Sequence, residues 1–517
     1  MSADTPNGAD SLLEAALDAG VEVCFANPGT TEMDLVSALD RNTAIRPVLG
    51  LFEGVVTGAA DGYGRMTGRP ALTLLHLGPG LANGIANLHN ARRAHSPVVN
   101  LVGDHATWHR GADAPLTSDI DAIAGAVGSV VTPASVDDLA TVVQSAIATA
   151  TGPPAGVVTV VVPQDLAWTD TTIDAPPTPV AHRVESIDEV AVSAAIDRLS
   201  TSPTTTALIV GGDGLCDAGV RAASRIAAAT GAAVWAEMFS SRIERGGGLP
   251  TIRAVPYFPE MAIEALGAIE HAVLVGTDAP VSFFGYPDQP SRLLPGGCEV
   301  IGVSAGGHPA AAALWEIADR VGAAAFTPIA VERPPRPSGG LSTKTLGAAL
   351  AATQPEHAVV VNEAATSGNP WLGMSAAAPS HDMLGLTGGA IGQGLPCAVG
   401  AAVACPDRPV VALQADGSGL YTLQALWTMA RESLDVTVVV CANRAYRILQ
   451  VELQRSGASL GPASERLMEL DQPAIDWVSV GRGFGVPSVS VDTAEALVTE
   501  LDRAFAEPGP TLIEALL

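Results

Sequence analysis

Short apolar runs of Val, Ile, Leu and Ala recur along the chain, each followed by an Ala-rich stretch whose apolar positions return every three to four residues. Near-continuous apolar runs mark strands buried on both faces, and the amphipathic stretches between them mark crossover helices. Strands are therefore predicted at Ala71–His76, Val98–Val102 and Val157–Val162, then at Ala207–Val210, Ala272–Val275 and Glu299–Val303. A third set is predicted at Ala358–Val361, Val410–Leu413, Val436–Val440 and Thr511–Ala515. Two proline-rich stretches, Asp174–Pro179 and Glu332–Gly340, can continue neither helix nor central strand and read as linkers. They divide the chain into domains over 1–173, 183–330 and 341–517, each near the usual size of an α/β domain. The predicted fold class is α/β, with three doubly wound parallel sheets and ligands at the carboxyl ends of strands.

Composition narrows the partners. The 517 residues carry 54 acidic and 27 basic side chains, a formal charge of -27, and the sequence pI is near 4.6. Such a surface repels a nucleic acid backbone. Lys344 is the only lysine, so lysine-based chemistry has almost no candidates. No apolar run approaches the ~20 residues of a membrane span, and Met1–Pro6 lacks the basic start and apolar stretch of a signal peptide. Six scattered cysteines without a CxxC pair fit a reducing cytoplasm and argue against zinc. His105 and His109 are four apart, but their Pro, Gly and Asp neighbours indicate a loop.

The chemistry concentrates in Val410–Leu420, an apolar strand ending in Asp416-Gly417-Ser418, followed by a helical pattern over Thr422–Arg431 and a second strand that leads into Asn443. Asp416 and Asn443 then lie at the carboxyl ends of two strands joined by one helix. A carboxylate and an amide oxygen converging there suit Mg²⁺, whose coordination is completed by phosphate oxygens and water. Gly417 and the helix start behind it would offer N–H groups to the same phosphates. A plain strand-end turn capped by Asp and Asn would use the same residue types.

These residues resemble the signature of the thiamine diphosphate enzymes of the acetohydroxyacid synthase, benzoylformate decarboxylase and pyruvate oxidase type, with Ala415 in place of the family's first glycine. The resemblance implies thiamine diphosphate and Mg²⁺ as cofactors, with Asp416, Asn443 and the carbonyl of Ala445 as metal ligands. Gly417, Ser418 and Asn443 would also contact the cofactor. It further implicates Thr366 and Ser367 with the diphosphate, and Gly389 and Ile391, within Leu386–Pro396, with the aminopyrimidine. Ile391 falls where an apolar wedge props the cofactor into its bent form.

In the first domain, Leu49–Gly68 places Glu53 at the start of an apolar, small-residue helix. Burial there would raise its proton affinity, as a proton-relay group requires; a helix-start glutamate satisfying the dipole is the alternative. The stretch resembles the family's catalytic-glutamate motif, followed by Ala59–Tyr63, which makes Glu53 the acid that hydrogen-bonds the aminopyrimidine. Asn27–Glu32, Leu77–Gly84 and Gly111–Asp119 extend the match. Thr30 and His76 stand where benzoylformate decarboxylases place a serine and a histidine that handle substrate carboxylate and protons; a structural histidine after a buried strand is the other reading of His76. In the middle domain, Gly211–Gly219 lacks the GxGxxG spacing, and no flavin (FAD) is expected.

By resemblance the substrate is a small 2-oxo acid, which loses carbon dioxide to leave an enamine on the cofactor. Ligation of that enamine to a carbonyl acceptor would be acetolactate-synthase-like, and protonation would make the protein a decarboxylase that releases an aldehyde. A reading of another class is a non-catalytic, cofactor-binding regulatory homologue. Since Glu53 and the Mg²⁺ ligands lie in different domains, and come from different subunits in this family, a homodimer or homotetramer with active sites at subunit interfaces is expected.

Overall fold

The computed structural model describes residues 5–171, 187–304, 309–328 and 330–517. The first sheet comprises β1 (Val23–Asn27), β2 (Arg46–Leu49), β3 (Ala71–His76), β4 (Val98–Asp104), β5 (Ser129–Val131) and β6 (Val157–Pro163), in the order β2-β1-β3-β4-β6-β5. The chain continues with β7 (Thr206–Val210), β8 (Ala233–Ala236), β9 (Arg242–Arg245), β10 (Arg253–Ala254), β11 (His271–Val275) and β12 (Glu299–Ser304). The middle sheet takes five of these, in the order β10-β8-β7-β11-β12. The third sheet adds β13 (Ala358–Glu363), β14 (His381–Gly385), β15 (Val410–Ala415), β16 (Val436–Ala442), β17 (Ser488–Val491) and β18 (Thr511–Leu516), in the order β17-β18-β16-β15-β13-β14-β9.

Every predicted strand lies within an observed one. The third sheet differs from expectation at one edge: β9 leaves the middle segment and pairs antiparallel with β14, Ile243 opposite Met383. Charge fixes this edge. Arg242 donates to Asp382 (Nε to Oδ1, 2.6 Å), Arg408 pairs with the same carboxylate, and Arg245 donates to the carbonyl of Leu372. The linker predicted at Asp174–Pro179 lies outside the described residues, whereas Glu332–Gly340 runs almost wholly without helix or strand. Among the described residues no helix is long and apolar enough to cross a membrane.

Two helices bring the first and third sheets together. Helix α1 (Glu53–Thr67) packs on α3 (Gly394–Ala404), and α2 (Leu77–Arg93) lies beside α1. A Cβ on Gly62 would overlap the Cys397 carbonyl, and one on Gly400 would overlap the Ala59 carbonyl, so this contact is backbone against backbone. A single apolar cluster therefore runs from Phe25, Val55 and Tyr63 through Leu395 and Val399 to Val410 and Val438. At its centre Arg65 and Asp61 form a bidentate pair with side chains 1% and 0% exposed. Arg65 also donates to the carbonyls of Gly385 and Ser241 and to Thr387 and Gln393, so one guanidinium holds all three parts of the molecule.

Candidate active site

Asp416 opens a one-turn helix at the end of β15, and Asn443 follows β16 directly. The two strands are parallel neighbours with Ala415 opposite Cys441, which sets the residues side by side. Asp416 Oδ2 accepts from the backbone N–H of Arg444 (2.6 Å), and its Oδ1 accepts from that of Gly417 (2.8 Å). Asn443 Oδ1 accepts from the N–H of Ala445 (3.0 Å). Arg444 is in the left-handed region (φ 55°), which turns this loop tightly beneath the carboxylate. Burial pushes the Asp416 carboxyl above its ordinary value, and the two N–H donors oppose that push. One carboxylate, one amide oxygen and the Ala445 carbonyl are hard donors that fit Mg²⁺ and leave positions for phosphate oxygens. Among the described residues no cluster of three or more His, Cys, Asp or Glu side chains offers another metal site.

The expected phosphate contacts are only partly free. The N–H of Gly417 is donated to Asp416, and the Ser418 hydroxyl accepts from Gln414 Nε2 (2.6 Å), facing the interior. Both thus serve buried polar groups of the protein itself, Gln414 donating to Glu363 as well. Thr366 and Ser367 sit on the turn after β13, the first half-buried and the second buried. Glu363, fully buried at the end of β13, accepts from the N–H groups of Gly392 (2.6 Å) and Gly394 (2.5 Å) and from Gln414. It thereby ties the loop of Gly389 and Ile391 to the end of β13. Gly389 (φ 77°) needs glycine both for its backbone and because Phe283 presses on it. Ile391 is half-buried.

Glu53 is the first residue of α1, and its Oε2 accepts from Asn83 of α2 (3.0 Å). At the carboxyl end of the same sheet, His76 Nδ1 lies 2.8 Å from Glu32 Oε2 and 3.2 Å from the Thr31 hydroxyl. Glu32 has no solvent exposure; it also accepts from the Thr31 hydroxyl (2.5 Å) and the Gly29 N–H (2.7 Å). The acidic partner makes Nδ1 the protonated nitrogen, donating to Glu32, and Nε2 takes no part in these bonds. A Cβ on Gly103 would overlap Glu32, and one on Gly29 would overlap His76, so both glycines are required by close approach. Thr30 is exposed, and its neighbour Thr31 is the threonine at His76. Sequence reasoning missed Glu32 as the partner of His76, although it closes the quoted Asn27–Glu32 motif.

A cavity of about 980 Å³ lies elsewhere, between the first and middle sheets, and is lined by none of these residues. Beside it the Glu237 carboxyl packs on Gly211 and accepts from Thr277 and the Gly212 N–H; burial pushes it up to about 7.

Comparison with known proteins matches the two halves of this site separately. Residues 6–124 match the N-terminal TPP binding domain of thiamine pyrophosphate enzymes, and residues 371–515 match their C-terminal TPP binding domain. The chain is 47% identical to IlvX of Mycobacterium tuberculosis, a protein named as an acetolactate synthase large subunit, across 99% of both chains. It is 30% identical to benzoylformate decarboxylase of Pseudomonas aeruginosa across 96% of both. The thiamine diphosphate-dependent 4-hydroxybenzoylformate decarboxylase of Rhodococcus jostii superposes with a TM-score of 0.85 at 27% identity, with 98% of each chain covered. With Glu53 in one matched region and Asp416 and Asn443 in the other, the chain belongs to the thiamine pyrophosphate enzymes.

Proposed function

We propose that the protein uses thiamine diphosphate and Mg²⁺ to decarboxylate a 2-oxo acid and join the remaining fragment to a carbonyl acceptor, as in acetolactate synthesis. The observation that supports this reading is the turn after two adjacent parallel strands, at which Asp416 accepts from the Arg444 N–H and Asn443 Oδ1 from the Ala445 N–H. Thiamine diphosphate, when bound, supplies an electron sink for the carbanion left by loss of carbon dioxide. Asp416, Asn443 and the Ala445 carbonyl would hold the metal, Thr366 and Ser367 would hold the diphosphate, and the Glu53 carboxylate would hold or give up a proton at the pyrimidine end. The apolar side chain of Ile391 would pack against the cofactor and exclude water.

A second reading, decarboxylation with release of an aldehyde, draws support from His76. A buried carboxylate braces Nδ1, which orients Nε2 to hold or deliver a proton near the substrate. Assembly as a homodimer or homotetramer, with Glu53 and Asp416 of one site from different subunits, fits the exposed apolar side chains of Leu51 beside Glu53 and of Tyr421 and Leu449 near the metal turn.

Carbon dioxide release from pyruvate, phenylglyoxylate and glyoxylate, with the products identified, tests these readings. A ligated 2-hydroxy ketone or 2-hydroxy-2-alkyl-3-oxo acid supports the first and an aldehyde the second. No release from any 2-oxo acid, with cofactor bound, overturns both.

A further inference from the structure

Glu363 ends β13, and Gln414 stands opposite it near the end of β15. Both are buried, and Gln414 Nε2 donates to the Glu363 carboxylate (3.1 Å) and to Ser418 Oγ (2.6 Å) in the turn that carries Asp416. The same carboxylate accepts from the N–H groups of Gly392 and Gly394, so it caps the start of α3 from a neighbouring strand. A Cβ on Gly394 would overlap both Glu363 and Gln414. Gly392 is also held through its carbonyl, which accepts from the Thr422 hydroxyl (2.8 Å) and, at the longer distance of 3.3 Å, from Asn87 of α2. Thr422 is buried and follows the Asp416–Gly419 turn on the same stretch of chain.

Two peptide planes meet at Gly392. Glu363 fixes the one shared with Ile391, through its N–H, and Thr422 fixes the one shared with Gln393, through its carbonyl. Together the two bonds set both backbone angles of a glycine at φ 96°, whose backbone otherwise has several conformations available at little cost. Apolar packing of α3 places the end of this loop but has no direction, and so leaves the two planes undetermined. We infer that Glu363 and Thr422 are positioning residues that lock Gly392 and so hold Ile391 in register with the Asp416–Asn443 turn. The inference rests on the proposed role of the loop of Gly389 and Ile391. Both positioning residues, the loop and the turn belong to the third domain of one chain, so the register is set inside a single subunit, whichever subunit supplies the glutamate. Neither bond to Gly392 involves Asp416, Asn443 or Ala445, so losing the Thr422 bond loosens the pyrimidine end and leaves the metal and diphosphate end in place.

That separation supplies the test. Full-length Thr422→Val, which keeps the shape and removes the hydroxyl, and Thr422→Ser, which keeps the hydroxyl, are titrated with Mg²⁺ in excess. The ligands are thiamine diphosphate and, separately, inorganic diphosphate, which has no pyrimidine. For Thr422→Val the Kd for thiamine diphosphate is expected to rise roughly tenfold, equivalent to about 1.4 kcal/mol, while that for inorganic diphosphate changes less than about twofold. Thr422→Ser is expected to bind both ligands as the wild type does. Equal weakening of both ligands by Thr422→Val, no change in either, or a serine variant as weak as the valine one overturns the inference. If Thr422→Val does not fold, Glu363→Gln gives the same reading, because it keeps the shape but turns an amide NH₂ toward one of the two glycine N–H groups. Selective loss of thiamine diphosphate then supports the inference, and unselective loss or none overturns it. A wild-type protein that does not bind thiamine diphosphate would instead refute the proposed function, a result distinct from normal wild-type binding with unaltered variants.

Discussion

Replacing Arg65 by methionine deletes a buried cation while roughly preserving its volume. Asp61 then keeps the Ser96 hydroxyl (2.5 Å) as its remaining hydrogen-bond donor and has no solvent exposure. Removing one partner of a buried ion pair costs about 3–5 kcal/mol; the Ser241 and Gly385 carbonyls each lose a hydrogen bond too, Gly385 keeping the one from Gln393. For a chain of 517 residues that unfolds as one unit, that is a fall in melting temperature of roughly 3–5 °C. Calorimetry of Arg65→Met should show this fall. Adding Asp61→Asn should recover much of it, because the double variant buries no charge at this place. A fall of less than about 2 °C, or a double variant whose loss equals the sum of the two singles, would refute the account of Arg65 as the hub of the molecule.

Other outcomes follow from the site. Glu53→Gln should lower kcat by at least roughly 100-fold while the Kd for thiamine diphosphate, read by titration, stays within a few fold; an active variant refutes its proton role. Asp416→Asn should raise the Mg²⁺ concentration needed for half-maximal cofactor binding by roughly 10–100-fold, and an unchanged requirement would remove it from the metal site. Glu32→Gln preserves shape and removes the charge behind His76, so kcat/KM for a 2-oxo acid should fall roughly tenfold or more with cofactor affinity intact; full activity would make His76 structural. Burial raises Glu237 from 4.5 to about 7, so its folded form is favoured below pH 4.5 and that advantage is lost as pH rises through 7. Glu237→Gln should therefore flatten the decline in melting temperature between pH 5 and 8, worth on the order of 3 kcal/mol, and a parallel decline in both proteins would contradict this.

The central strands were readable because burial on both faces leaves an unbroken apolar run: Val98–Val102 and Val436–Val440 sit in sheet interiors with neighbours on each side. The four residues Arg-Ile-Glu-Arg of β9 show no such run, since they occupy an edge, and their partner β14 lies some 140 residues away. The placement of Asp416 beside Asn443 was legible for a related reason: both follow adjacent strands, so spacing along the chain translates into proximity. His76 and Glu32 are 44 residues apart, and only the pairing of β1 with β3 brings their loops together.

The crossing of β9 also bears on modularity. A chain whose middle third were excised or exchanged for that of a relative would lose the outer strand of its last sheet. The whole hydrogen-bonding edge of His381–Gly385 would then face water and be free to recruit a strand from another molecule. Chimeras joined at the proline-rich linkers should therefore aggregate unless Arg242–Arg245 travels with the C-terminal part. The middle third is thus structurally a component of its neighbour, and any exchange of it has to leave those four residues with the last sheet.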